Sequence, residues 1–418
     1  MSRVSDPPAT AAESGRFQRK RAEIVRAASG LIADRGLQGL TLAAAAEAAG
    51  LKTTSVTYYF RRKDLLAEAA LDAALDRQHL VIEAAGAEAT PRARLGAMVS
   101  GVLAAHAEAR RGGEGLAPIL SDIRSMEEDA AARLSARYRG LVNRVADFFG
   151  PRRAPAERAV DLARAQALME CMHWLRAWLP RYALSDFPRV EARLLALFET
   201  GFAPAGAAWD PAPLDVGPEG AGAGAEIDRD AYLRAAAQLL NERGYRGASV
   251  ERIAARLNVS KGSFYHHLDA KDDLVMDCFA QSYERLSRAQ RLAIDAPAPD
   301  FQARLASCIN ALLQVQFSGA HPLLRTTAMQ ALPSELRPKV VARSDRAALR
   351  FAGMMIDGIA EGSVRPVDPL IASQCVMALL NGAVDFRVWA DHRESPAEAA
   401  RLFAAPLRTG FFTDPPGG

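Results

Sequence analysis

Residues 258–274 read NVSKGSFYHHLDAKDDL, and residues 50–66 read GLKTTSVTYYFRRKDLL. Each begins with a residue suited to left-handed backbone, Asn258 or Gly50, and runs into a short segment rich in hydroxyl, aromatic and basic side chains. Both then reach Lys-Asp and a fresh apolar periodicity. The stretches lie 208 positions apart, and at that offset Ile24–Leu66 aligns with Tyr232–Leu274 without a gap, 12 of 43 positions being identical. Self-similarity of this extent marks a structural unit used twice.

Upstream, Ile24, Ala27, Ala28, Leu31 and Ile32 match Tyr232, Ala235, Ala236, Leu239 and Leu240, a spacing that predicts one amphipathic helix in each copy. Gly36 and Gly244 stop it, and Thr41 and Ser249 sit where a hydroxyl caps the next helix. There Leu42, Ala45, Ala46 and Ala49 correspond to Val250, Ile253, Ala254 and Leu257. After the tight turn a short helix follows, Thr53–Tyr59 or Lys261–His267, with Val56 and Phe60 or Phe264 and Leu268 facing inward. Helix, tight turn and short polar helix together read as a helix-turn-helix.

On these residues both copies resemble the N-terminal DNA-binding domain of the TetR (tetracycline repressor) family. Thr57, Asn258 and Leu268 depart from its usual Tyr, Gly and Phe. The resemblance implies an all-α fold of two tandem subunits of nine-helix type, each a three-helix head followed by a helical ligand-binding and dimerisation part. It implies a double-stranded DNA operator and a small-molecule effector as partners, with no cofactor, metal or catalytic residue. The expected DNA-contacting set is Lys52, Thr53, Thr54, Ser55, Thr57, Tyr58, Tyr59 and Lys63 in the first head, and Ser260, Lys261, Gly262, Ser263, Tyr265, His266, His267 and Lys271 in the second. Tyr58, Tyr59, His266 and His267 go mainly to backbone contacts or packing, and Lys63 and Lys271 to phosphate. Small hydroxyls touch phosphate, base edges or a thymine methyl, whereas Lys261 is placed to donate to guanine acceptors. Residues 16–21 (RFQRKR) read as a solvated helix start, outside the base-reading set.

The duplication extends past the heads. Pro91–Leu95 and Asp300–Leu305 open corresponding helical regions, and Trp178 with Trp389 and Gly201-Phe202 with Gly410-Phe411 keep nearly the same offset. The expected layout is a first head at 16–66, a first regulatory part at 67–202, a linker at 203–226, a second head at 227–275 and a second regulatory part at 276–412. The linker, crowded with Pro, Gly and Ala, reads as a flexible coil that spans roughly 27 Å relaxed and about 80 Å stretched. Helix pairs near 157–180 with 188–202 and 367–391 with 396–412 are expected to form a four-helix interface, making one chain a covalent pseudo-dimer. A swapped homodimer of tandem chains remains open on linker length.

Composition agrees with a globular chain: of 418 residues, 50% are hydrophobic and 24% charged. Four scattered cysteines fit no zinc or disulfide framework and point to a reducing cytoplasm. Residues 1–23 lack the apolar stretch of a cleavable signal, and the uncharged run Leu305–Leu324 carries Asn310, Gln314, Gln316, His321 and Pro322, so it reads as a buried core helix rather than a membrane span. Net charge is only +3, but it is uneven: Arg16–Asp64 holds ten basic against four acidic residues, whereas Asp228–Leu274 holds eight against seven. No HExxH, GxSxG, GxxxxGKS or GxGxxG motif stands in its required context, so an enzyme is the weakest reading. A scaffold with degenerate heads is the other alternative, opposed by the intact turns and caps. Met126, Met169, Cys171, His173 and Trp174 in the first copy, and Gln314, Phe317, His321, Met329, Met355 and Cys375 in the second, are candidates to line a pocket for a largely apolar effector.

Overall fold

A computed structural model describes residues 11–113, 123–151, 154–217, 229–260, 262, 271–319, 322–325, 332 and 335–414. Among these residues no strand occurs, and the chain folds as the expected all-α tandem. The first half comprises α1 (Ala11–Gly39), α2 (Leu42–Ala48), α3 (Thr53–Tyr59), α4 (Lys63–Gly86), α5 (Pro91–Arg110), α6 (Glu128–Ala146), α7 (Pro155–Trp178) and α8 (Phe187–Thr200). The second comprises α9 (Arg229–Gly247), α10 (Val250–Leu257), α11 (Lys271–Asp295), α12 (Phe301–Ser318), α13 (Arg337–Glu361), α14 (Pro369–Gly382) and α15 (Pro396–Thr409), with a single helical turn at Arg387–Ala390. Arg365-Pro366 falls between α13 and α14 as Pro requires. Leu332 lies ahead of α13, and Pro333 is outside the described residues.

The local signals operate as their chemistry demands. Thr41 and Ser249 accept the amides of Ala44 and Arg252 at the starts of α2 and α10. Gly36, Gly50 and Gly244 have positive φ, and Asn258, at φ 56°, is the one non-glycine among the described residues to do so. The first head closes a small core of its own, with Ile24, Ala28, Ile32, Val56 and Phe60. In the second, Tyr232, Ala236, Leu240 and Ile253 join Phe279, Leu324, Leu332 and Val340 of the helical part that follows. The remaining helices of both halves share one continuous core. Fully burying a Leu or Phe side chain contributes about 1.5–3 kcal/mol, so a core common to both halves binds them far more firmly than a few surface contacts would.

At its centre α7 and α8 pack against α14 and α15. Trp174 Nε1 donates to Gln374 Oε1 across this four-helix contact at 2.9 Å, and Trp389 Nε1 donates to the Ala159 carbonyl at 3.2 Å. Pro369–Ala390, the one segment among the described residues long and apolar enough to cross a membrane, is α14 and its extension, 67% buried. Of the uncharged run Leu305–Leu324, the part to Ser318 lies in α12, where Leu305, Ile309, Leu312, Leu313 and Phe317 are core; Gly319 ends the helix, His321 is outside the described residues, and Pro322–Leu324 is not helical.

Where α8 and α15 end, the two backbones cross. The Phe202 and Ala203 amides donate to the Leu407 and Arg408 carbonyls at 3.0 and 2.8 Å, and the Phe411 amide donates to the Phe198 carbonyl at 2.8 Å. A Cβ on Gly201 would stand 2.2 Å from the Arg408 carbonyl oxygen, and one on Gly410 would stand 2.4 Å from that of Glu199. Both glycines have positive φ, 67° and 93°. Neither side of the crossing therefore accepts a side chain.

The linker departs from the flexible coil expected of it. Residues 203–217 lie along the second half: the Ala212 amide donates to Ser307 Oγ at 2.9 Å, and the Gly217 carbonyl accepts from Arg288 at 3.2 Å. The buried Arg408 donates to the Ala207 carbonyl and stacks 5.3 Å over the Trp209 ring. Val216 is buried, and Trp209 and Leu214 pack on the shared core. These three apolar side chains, spaced without regular period, give the strap a hydrophobic seat. Residues 218–226 are outside the described residues. Reciprocally, Phe411 packs edge-on to Phe198 at 4.9 Å and Arg92 stacks over Phe412, so the end of α15 grips the first half.

Gly201→Ala and Gly410→Ala should each destabilise the chain by about 2–4 kcal/mol through backbone collision and strain. Gly206→Ala, also at positive φ but with open space around it, should cost only about 1 kcal/mol. Urea unfolding midpoints compared at constant m-value would check this, and equal losses at all three positions would refute the crossing as the source.

Candidate functional site

In the first head α2 and α3 are set by the Gly50 turn, where the Leu51 amide donates to the Ala46 carbonyl at 2.8 Å. Val56 and Phe60 anchor α3 to the head core, with 0% and 3% exposure. This leaves Lys52, Thr53, Thr54, Thr57 and Tyr58 facing water, while Ser55, Tyr59 and Lys63 are half-buried. Thr57 Oγ1 donates to the Thr53 carbonyl at 2.9 Å, which satisfies its proton within the helix and leaves its methyl and lone pairs outward. Tyr58 is 74% exposed, unusual for a large ring without a ligand or partner surface.

Two residues of α1 shape this face. Phe17 packs against Tyr59 at 4.7 Å and edge-on to Tyr58 at 6.1 Å, and Arg21 stacks 5.0 Å over Phe60. Phe17 lies seven residues before Ile24, on the same helix face, so extending the apolar stripe backward by two turns finds it. Residues 16–21 are helical, as expected of a solvated helix start. Arg62, at the N-cap of α4, pairs with Glu127 of the first regulatory part at 3.1 Å and thereby ties head to body.

In the second head Ser260 and Gly262 are exposed just beyond the Asn258 turn. Lys261, Ser263, Tyr265, His266 and His267 are outside the described residues, and Lys271 opens α11. A helix that begins at a lysine, as α4 and α11 both do, offers unpaired backbone amides to a phosphate at the same position.

Among the described residues, the pocket candidates do not gather around one chamber. Cys171, Trp174 and Cys375 stand in the contact between α7 and α14, where Trp174 bonds to Gln374. Phe317 belongs to an aromatic cluster with Phe403 and Trp389, at 5.8 and 6.4 Å. Met169 and Met355 are fully packed core, Gln314 is half-buried on α12, and Met126 wedges between the first head and the shared core. His321 and Met329 are outside the described residues. A small cavity of about 20 Å³ in the second half is lined by Ser282, Gln316 and Met377 among others, room for a single water.

His173 is the exception. Its ring lies 5.7 Å from that of Tyr138, and its Nε2 is 2.9 Å from Gln78 Nε2, inside a polar enclave that also holds His106 and, one turn before His173 on α7, Glu170. Burial holds both imidazoles near pKa 4, with the Arg176 charge acting in the same direction. Burial also raises the Glu170 carboxyl to about 7, against the opposing pull of Arg124 and of Gln166, which donates to it at 2.7 Å. Such an enclave presents uncharged imidazoles and an amide beside a carboxyl about half ionised at pH 7, so a purely apolar occupant would leave polar groups unmatched.

A family model described as bacterial regulatory proteins of the tetR family matches residues 24–70 and 233–278. The chain is 25% identical over 161 residues to the HTH-type transcriptional repressor DhaR of Mycobacterium sp. (strain GP1), covering 35% of this chain and 75% of that protein. It is 24% identical over 165 residues to the uncharacterized HTH-type transcriptional regulator YhgD of Bacillus subtilis (strain 168), covering 37% and 81%. Among solved structures, PfmR of Thermus thermophilus, a TetR family transcriptional regulator, is 26% identical, covering 44% of this chain and 98% of that one, with a TM-score of 0.36.

The raised Glu170 carboxyl fixes the sign of a pH effect. The folded state keeps its proton to about pH 7, whereas an ordinary glutamate releases it near 4.5, so stability falls as pH rises between those values. His106 and His173 act oppositely, costing stability as pH falls from 6.5 through 4. Glu170→Gln should therefore gain on the wild type by on the order of 3 kcal/mol as pH rises through that window, and then hold level. Melting temperatures from pH 4 to 8 would check it; parallel curves would remove Glu170 as the source.

Proposed function

With the chain a member of the tetR family of bacterial regulatory proteins, carrying that family's DNA-binding module twice, we propose that it is a transcriptional repressor whose single chain occupies one operator as a covalent pseudo-dimer and is released by a small-molecule effector. The observation that carries this reading is the shared core: both heads hang from one body whose halves cross at Gly201 and Gly410. Two heads so joined supply two half-sites about one DNA turn apart.

The proposed layout keeps the heads at 16–66 and 227–275 and the regulatory parts at 67–202 and 276–412, with 203–226 as a strap whose first part is docked. In the first head Lys52, Thr53, Thr54, Ser55, Thr57 and Tyr58 form the reading and clamping face, Tyr59 supports it from within, and Lys63 holds phosphate. In the second, Ser260, Lys261, Gly262, Ser263, Tyr265, His266, His267 and Lys271 take those roles. The working location is the bacterial cytoplasm, on DNA, away from any membrane. The effector seat in the first half is the His173, Gln78 and Tyr138 enclave, which favours a ligand with hydrogen-bonding groups over the largely apolar one expected with the resemblance. The exposed hydroxyls and Tyr58 of the first head speak against a scaffold with spent heads.

The two reading faces share only Ser55 and Ser263, so the operator should be a poor palindrome. Footprinting on the DNA beside its own gene would display this, and a strictly palindromic preferred site would reject it. Light scattering with operator should give one chain per site; a minimum of two would favour a homodimer of tandem chains. Lys63→Ala should weaken binding on all sequences and flatten the salt slope by about one unit, whereas Lys261→Ala should relax choice in one half-site at a cost of about 1–3 kcal/mol. Equal losses on specific and random DNA for Lys261→Ala would make it a phosphate clamp.

A further inference from the structure

Arg124 lies in the short segment before α6, and four parts of the molecule meet there. One guanidinium nitrogen donates to the carbonyl of Asn241, on the first helix of the second head, at 3.0 Å. The other amino group pairs with the buried carboxylate of Asp385, which also receives Arg325 of the second half. Asn241 is in turn bound by that half: its amide nitrogen donates to the Leu323 carbonyl at 3.0 Å, and its oxygen accepts the Arg325 amide at 3.3 Å. Two and three residues beyond Arg124, Met126 packs into the first head and Glu127 pairs with Arg62 at the foot of the first recognition helix. The short run from Arg124 to Glu127 thus touches both heads.

The tie is one-sided. In the register that aligns the two heads, Asn241 corresponds to Ala33, which keeps the backbone carbonyl but lacks the side-chain amide that binds Leu323 and Arg325. Where Trp178 is set against Trp389, Asp385 corresponds to Trp174. Arg124 is partly buried, with its side chain 19% exposed, and burial brings its pKa to about 10, so it is a cation at neutral pH. A charged donor held between a largely buried carboxylate and a helix carbonyl is a directional restraint.

We propose that Arg124 is the positioning residue that fixes the second head relative to the first, and so sets the half-site spacing this chain accepts. The proposal rests on the reading of one chain on one operator. Bivalent binding gains from linkage only where both sites are engaged without distortion, so a rigid tie sharpens the spacing optimum and a loosened one broadens it. Removing Arg124 leaves Asp385 paired with Arg325, so the body keeps its core while the second head loses its cross-half anchor.

The test uses the full chain and its footprinted operator, with the spacer between half-sites changed one base pair at a time, alongside a fragment holding the first half-site alone. Wild type should lose about tenfold or more in affinity at the first spacer step. Arg124→Ala should bind the best spacer about tenfold more weakly, and its penalty for a changed spacer should shrink to about twofold, with half-site affinity and circular dichroism unchanged. Arg124→Lys, which reaches one acceptor but not both, should restore part of the spacing preference. A spacing profile in Arg124→Ala as sharp as in wild type, or a parallel fall in half-site affinity, overturns the positioning role. A wild type indifferent to spacing, or bound as two chains per operator, overturns the single-chain reading and this proposal with it.

Discussion

The crossing of backbones at Gly201 and Gly410 is the constraint on which the rest of the structure depends. Each glycine lies against a carbonyl of the other half at a distance no side chain tolerates, and amide-to-carbonyl bonds flank it on both sides. This joins α7 and α8 to α14 and α15 into one body, allows the aromatic ends of each half to seat on the other, and leaves both heads outside the shared core, the first with a small core of its own and the second packed on Leu324, Leu332 and Val340. A contact of this kind is made at the backbone, so it fixes the relation between halves with little slack, and polar groups buried beside it need partners from both sides.

Fusing two related halves removes the demand that they stay identical. In a symmetric dimer every substitution appears twice, and a residue on the axis meets its own copy. Here Asp385 draws in Arg124 and Arg325 together, one guanidinium from each half, while the matching position in the first half is Trp174. Glu170 is held near neutrality in the first half where the same register places Asn381 in the second. The heads have diverged as well, the first carrying the greater excess of basic residues. Duplication thus lets corresponding positions of the two halves carry different chemistry.

The heads were largely legible because their determinants are local. Caps at Thr41 and Ser249, turns at Gly50 and Asn258, and the inward Val56 and Phe60 each act within a few residues of their own position, and the structure places them as their chemistry predicts. The role of Phe17 was missed although it lies on the same helical stripe, because the two copies align only from Ile24 onward. The linker misled for a related reason: its composition says flexible, yet Trp209, Leu214 and Val216 need no periodicity to settle on a surface that other helices have already built. An effector pocket was the least legible part, since Cys, Met and Trp on apolar helix faces look alike whether they line a chamber or seal an interface.

By itself the sequence determined the class of fold, the duplication, the two helix-turn-helix heads and the residues of the first head that face outward. All of these follow from patterns that repeat every few residues or recur at one offset. Only the tertiary structure decided that α7 and α14 face each other, that the strap is docked, that His173 sits in a polar enclave, and that Arg124 reaches Asn241 and Asp385. Those contacts join residues dozens to hundreds of positions apart, and a lone arginine, histidine or aspartate carries no periodic mark of the partner it meets, because that choice is made by the packing of whole helices.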